Sequence, residues 1–128
     1  MNALKQAVRD RLIAAGVNGG TAIFDSLAPA GQAYPYVVFQ YVAGGDENSS
    51  PLDTRSEIWQ VKAVTDQHQQ AGELAEAIRA ALHQQALVIS GWRHLWTAHE
   101  KPVWMVEAVG QQIYHAGGTY RIRAHRIA

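Results

Sequence analysis

Six histidines, His68, His83, His94, His99, His115 and His125, are the first residues of this 128-residue chain whose type suits chemistry. A neutral imidazole ligates metals and exchanges a proton near neutral pH. Their spacing argues against both uses. His68 and His83 fall near opposite ends of one predicted helix, too far apart to share a metal, and no zinc spacing with an i, i+4 pair occurs. His94 and His99 have opposite parity in a predicted strand, which points them to opposite faces if the strand is regular. All six read as solvated or hydrogen-bonded histidines. An enzyme using His94, His99 or Glu107 as acid–base groups requires two of these side chains to converge in a cleft.

Other routes to chemistry are also closed. The chain has no cysteine, which removes thiol nucleophiles, thiolate metal sites and disulfides together and suits a reducing cytoplasm. No serine sits in a Gly-x-Ser-x-Gly elbow. Gly16-Val17-Asn18-Gly19-Gly20 has the glycines of a phosphate loop, but it follows a helix and no Lys-Ser/Thr comes after it, so it reads as a turn. Asp46, Glu47 and Asp53 cluster in one polar loop without the alternating ligand order of a calcium loop. No catalytic, cofactor-binding or metal-ligating residue is predicted. A different signal comes from the last strand, where Thr119, Arg121, Arg123 and His125 share one face opposite Tyr120, Ile122 and Ala124. Such a row of positive groups suits phosphates or the acidic side chains of a neighbouring subunit, or is simply the solvated side of a strand.

The elements that would carry these residues are legible from periodicity. Leu4, Ala7, Val8, Leu12 and Ala15 form the apolar stripe of a helix over 3–15, ended by Gly16. Thr21–Asp25 predicts a brief edge strand, and Tyr36–Val42 a strand covered on both faces by its β-branched and aromatic residues. The polar loop from Gly44 through Pro51 to Asp53 is too long for a tight hairpin, and the strand through Trp59, Val61 and Ala63 follows it. A helix comes next, with Thr65 and Asp66 as candidate caps and a stripe of Ala71, Leu74, Ala75, Ile78, Ala81 and Leu82. Gly72 inside it marks a close contact or a late start. Trp92, His94, Trp96 and Ala98 fall on one side of a further strand. Val103–Val109 reads as strand or as packed loop, and 112–126 as a long final strand. Of the four tryptophans, Trp59, Trp92, Trp96 and Trp104, an exposed member would be a natural interface anchor.

These elements predict an α+β fold: a mostly antiparallel sheet of about four to six strands with two helices packed on one face, in a single domain over 1–128. At 48% hydrophobic residues, a chain of this length buries roughly two-thirds of the surface its unfolded form exposes. Net charge is +0, so no overall field draws it to nucleic acid or to an anionic membrane. No run approaches the roughly 20 apolar residues that cross a bilayer, and no leader pattern opens the chain, so no membrane partner is expected.

The order of elements, with Pro35-Tyr36-Val37-Val38-Phe39-Gln40, Ala77-Ile78-Arg79-Ala80-Ala81-Leu82, and Tyr114 followed by Tyr120-Arg121, resembles the phage tail-completion family, the tail-terminator or head–tail joining proteins. The chain departs from that pattern in a longer segment around Lys101 to Gly110. The resemblance implies a structural virion protein, not an enzyme, located in the virion tail and in the host bacterial cytoplasm during assembly. It implies a ring of copies of itself, six in the family pattern, capping the head-proximal end of the tail tube. The implied partners are the major tail tube protein and the head–tail connector, with DNA passing through the ring without sequence-specific binding. No cofactor is implied. Asp46, Glu47, Asn48 and Ser49 of the polar loop and Arg121 and Arg123 of the last strand are the candidate partner-interface residues, and the loop from Gly44 to Asp53 is expected to be poorly ordered in the isolated subunit. The competing expectations are a small-ligand-binding α+β domain with a pocket between helices and sheet, and the histidine- or glutamate-based enzyme above.

Overall fold

The computed structural model describes residues 2–47 and 53–127. The chain begins with helix α1 (Asn2–Ala14), turns through Val17–Gly20, and forms β1 (Ile23–Asp25), β2 (Tyr36–Glu47), β3 (Thr54–Thr65), helix α2 (His68–Leu82), β4 (Trp92–Val109) and β5 (Gln111–Arg126). One five-stranded sheet results, in the order β1-β2-β3-β5-β4, with β1 parallel to β2 and every other neighbour antiparallel. The fold is α+β, as expected.

Both helices bury most of their predicted stripes, although Ala15 is exposed beyond the end of α1 and Leu74 and Ala75 of α2 are half-buried. Leu4, Ala7, Val8 and Leu12 of α1 and Ile78, Ala81 and Leu82 of α2 enter one core with Val37, Phe39, Trp59, Val61, Tyr120 and Ile122 of the sheet, and Ala71 of α2 is buried as well. The alanines of α2 let its backbone approach the sheet closely. At the centre, Trp59 of β3 and Tyr120 of β5 are register neighbours, each 1% exposed. Truncating a buried aromatic side chain of this size costs roughly 3–5 kcal/mol, a large share of a domain's roughly 5–15 kcal/mol. This register is therefore firmly specified.

Several local expectations are corrected. Neither Thr65 nor Asp66 is the N-cap of α2; Gln67 holds that position without a side-chain cap, while Thr65 Oγ1 accepts the Gln67 N–H and bonds Gln70. β2 continues through Glu47, so Gly44–Glu47 belong to a strand and not to the loop. Residues 48–52 of the predicted loop, including Asn48 and Ser49, lie outside the described residues, and Asp53 precedes β3 and accepts the Arg126 backbone N–H. β4 is strand along its whole length, including Val103–Val109, and Gly110, at φ +82°, makes the turn into β5. Bulges follow His94 and His99 in β4, so its side chains do not keep a single alternation. Trp92 and His94 pair with Arg126 and Ala124 on the helix side, whereas Trp96 and Ala98 pair with Arg123 and Arg121 on the other. The same shift brings His94 and His99 to one face, against the expectation of opposite faces.

Two glycines, one in strand β5 and one in helix α2, differ in what they require. A Cβ at Gly118 would lie 2.6 Å from the His99 ring, whereas one at Gly72, inside α2, would meet nothing within 4 Å. Gly72 therefore marks no close contact. Gly72→Ala is expected to raise stability by about 1 kcal/mol through helix propensity alone, and Gly118→Ala to lower it by displacing His99; chemical denaturation of the two variants checks both signs.

Candidate functional site

The helices cover one face of the sheet and leave the other without a helical layer. On that uncovered face the side chains of β2, β3, β5 and β4 must satisfy one another. Arg123 of β5 reaches across β3 to Glu47 of β2 and makes a two-pronged bond, Nε to Oε1 at 2.7 Å and Nη2 to Oε2 at 2.6 Å. Its guanidinium also lies 5.7 Å from the Trp96 ring of β4, within cation–π range. Two residues along, Arg121 donates through Nε to Glu100 of β4 at 3.1 Å and through Nη1 to Ser56 Oγ of β3 at 3.0 Å. The Arg123 hydrogen bonds hold the Glu47 carboxyl below its ordinary value and raise the Arg123 guanidinium. The predicted basic row is thus charge-balanced by Glu47 and Glu100.

The six candidate interface residues separate accordingly. Glu47, Arg121 and Arg123 share the uncovered face. Asp46 points the other way, where it accepts from Arg55 Nη1 at 3.0 Å; Arg55 Nε binds the buried Glu57 carboxylate at 2.9 Å, and Glu57 also accepts the Trp59 indole N–H at 3.1 Å. This chain of bonds lies at the edge of the core and holds the end of the β2–β3 pair. Asn48 and Ser49 are outside the described residues.

The histidines do not make an active site. His94 Nε2 is 2.7 Å from Thr97 Oγ1, and its Nδ1 accepts the Leu87 N–H at 3.4 Å. His83 Nδ1 accepts the His99 backbone N–H at 3.0 Å. His115 Nε2 lies 2.8 Å from Glu107 Oε1. His94, His99 and Glu107 are each held by a different partner, and no group of three metal-binding side chains gathers among the described residues. The space between helices and sheet is filled by the core, and the concavity lined by 84–86 and 94–98 is on the surface. Burial keeps His94, His99 and His115 below the ordinary 6.5; Arg79 and His83 add to this at His99, and Lys62 does at His115. Burial likewise pushes the Tyr120 phenol up to about 12.

One surface was anticipated in the sequence only through the possibility of an exposed tryptophan, which Trp104 is. The β4–β5 hairpin extends past the end of β3, since Thr65, the last residue of β3, pairs with Tyr114 and the ladder between β4 and β5 continues to Gln111. Trp104, Met105 and Val106 on this hairpin are exposed. Trp104 packs at 5.9 Å from Tyr114, and both lie 5.3 Å from the His68 ring at the start of α2. The signal available in the sequence was the run Val103-Trp104-Met105-Val106, apolar on both strand faces and therefore unsuited to a solvated edge.

This arrangement defines a class: a small α+β domain whose polar groups, among the described residues, stitch strands together. Comparison with known proteins specifies it further. The chain belongs to the tail completion protein gp17 family, whose model matches residues 4–125, and it is accordingly a structural protein of tail completion. A chain in the virion of a native gene transfer agent particle shares the fold with a TM-score of 0.83 at 22% identity, over 97% of this chain and 96% of that one. A second solved chain has a TM-score of 0.58 at 13% identity, over 94% of each. No curated protein sequence matches. Among the described residues no helix is long and apolar enough to cross a membrane.

Two outcomes are expected from the site. Arg123→Glu sets two carboxylates together on the uncovered face and lowers the thermal midpoint, and the exchanged pair Glu47→Arg with Arg123→Glu recovers part of the loss, as a melting comparison of the four proteins shows. Acid acts in two stages. Histidines whose folded pKa is lowered contribute stability that is complete above pH 6.5 and is lost as pH falls below it. Asp25, lowered mainly by its bond from Lys5, and Glu47 add a second loss below their ordinary values of 3.8 and 4.5. The midpoint is expected to decline from pH 7 toward 5 and again below 4.5, and His94→Gln is expected to shrink the first stage only.

Proposed function

We propose that this protein caps the head-proximal end of the tail tube as a ring of identical subunits, ends tube polymerisation there, and presents a surface to the head connector. The observation that carries the reading is the family match along nearly the whole chain, joined to a polar inventory spent on cohesion between strands. The gene transfer agent chain, a component of a particle's virion, has the same fold over nearly its full length and supports placement in a virion.

In this reading one domain spans 1–128, the partners are the major tail tube protein, the connector and further copies of the chain, and DNA passes through the ring without sequence-specific contacts. The charge balance of Arg121 and Arg123 with Glu100 and Glu47 suits such passage, because a strongly basic lining would retain DNA through its phosphates. Assembly takes place in the host bacterial cytoplasm.

Particles made without the protein are expected to carry overlong or unjoined tails, and addition of the purified protein to separated heads and tails is expected to restore joined particles in electron micrographs. Normal tail length and joining in its absence would overturn the reading.

A further inference from the structure

A sheet edge exposes a row of N–H and C=O groups that either stays solvated behind charges, prolines and bulges or pairs with another strand. Both edges of this sheet are open over part of their length, at different levels. On the β4 side, the first half is closed by the segment after α2: Gln84 N–H bonds Thr97 O at 2.9 Å, His99 N–H bonds His83 Nδ1, and Leu87 N–H bonds His94 Nδ1. From Glu100 to Val109 no backbone partner lies on the outer side among the described residues. The protective devices, a bulge at Glu100, Lys101 and Pro102, all stand at the start of this stretch. Beyond them come Val103, Trp104, Met105 and Val106, uncharged, with Trp104, Met105 and Val106 exposed by 50, 45 and 43%.

The direction of the free groups follows from the ladder. Thr97 and His99 turn their backbone groups outward, and they face Ile122 and Tyr120. Pro102, Trp104, Val106 and Ala108 face Gly118, Ala116, Tyr114 and Gln112, the continuation of the same alternate set. Trp104, Val106 and Ala108 therefore present N–H and C=O outward, and the one residue of this set with no N–H to offer is Pro102.

On the opposite side, β1 pairs only with Val37–Phe39 of β2. From Gln40 onward β2 has no outer backbone partner among the described residues. Gln40–Gly45 is uncharged, and Tyr41 and Val42 are 45 and 49% exposed. Three antiparallel steps separate β2 from β4, so the two edge strands run in opposite senses. Copies set side by side in one orientation thus bring β4 of one against β2 of the next as an antiparallel pair. The open part of β4 lies toward the hairpin tip and the open part of β2 toward the other end, since Tyr41 is level with His99 through Trp59 and Tyr120. Pairing them steps each copy along its neighbour, and a sheet that closes on itself requires such a stagger.

We infer that Val103–Ala108 of β4 adds as a strand to Gln40–Gly45 of a second copy of this chain, with Trp104 as the anchoring side chain. The interface is heterologous, the kind that generates rings. Gln40–Gly45 carries no charge and Val103–Ala108 carries only Glu107, which lies beside His115 of its own chain, so the pairing brings no like charges together, and the apolar run on the hairpin is covered. The inference rests on the ring proposed above and names its contact.

The absence of native cysteine makes cross-linking clean. In the Val42→Cys/Val106→Cys chain, oxidation of assembled protein, alone at high concentration or on tail tubes, is expected to yield a ladder of covalent oligomers, while each single-cysteine chain stops at dimers. Trp104→Lys/Val106→Lys, both at exposed sites, is expected to keep the circular dichroism and melting of the parent chain and to need at least tenfold more protein to assemble by light scattering. Rings that form equally well in the lysine variant, with no ladder in the cysteine pair, overturn this contact and leave the ring standing. Parent chain that forms no ring, alone or on tail tubes, overturns both.

Discussion

The register of β3 against β5 is the constraint on which the rest of the molecule depends. It sets Trp59 beside Tyr120 under the helices, and Trp59 in turn touches Phe39 and Tyr41 of β2 and donates to Glu57. A slip of one residue would send every side chain of β5 to the other face. Tyr120 and Ile122 would lose the core, and Arg121 and Arg123 would enter it without the carboxylates that meet them now. The burial of a few large apolar groups therefore decides where the polar ones go.

From that register follows the character of the uncovered face. With a single helical layer, the sheet must be cohesive by itself on its second side, and Arg123–Glu47 and Arg121–Glu100 bridge strands that are not backbone neighbours or lie at a bulge. Arginine suits this because its planar fork bonds two carboxylate oxygens at once and can lie over an aromatic ring. A face held by balanced pairs can line a passage or meet a neighbour without the desolvation penalty of a lone charge. The free hydrogen-bonding capacity of the molecule is left at its edges, where the backbone of β2 and β4 runs on past its partners.

Bulges in β4 govern the remaining side of the molecule. By adding a residue after His94 and again after His99 they turn Trp96 outward to Arg123 while keeping His94, Thr97 and His99 toward the helices. His94 and His83 close the first half of the β4 edge by accepting the backbone N–H groups of Leu87 and His99, a structural use that fits the lowered pKa of His94 and its lack of convergence with His99. They hold a strap, and the exposed edge begins where the strap ends.

The sequence by itself determined the helices, the existence of the strands around Val37 and Trp59, and the two faces of β5, because each rests on a local period that burial enforces residue by residue. It also determined that the six histidines and the serines form no catalytic pattern, since that judgement needs only residue types and spacings. Tertiary structure alone decided that Glu47 joins Arg123 while its neighbour Asp46 joins Arg55, for the two meet their partners across strands whose order no local period encodes. The bulges of β4 escaped detection because an inserted residue leaves composition unchanged and only the ladder reveals it. The open edges were invisible for a related reason: whether a strand has a neighbour on its outer side is a property of the whole sheet and of no segment within it.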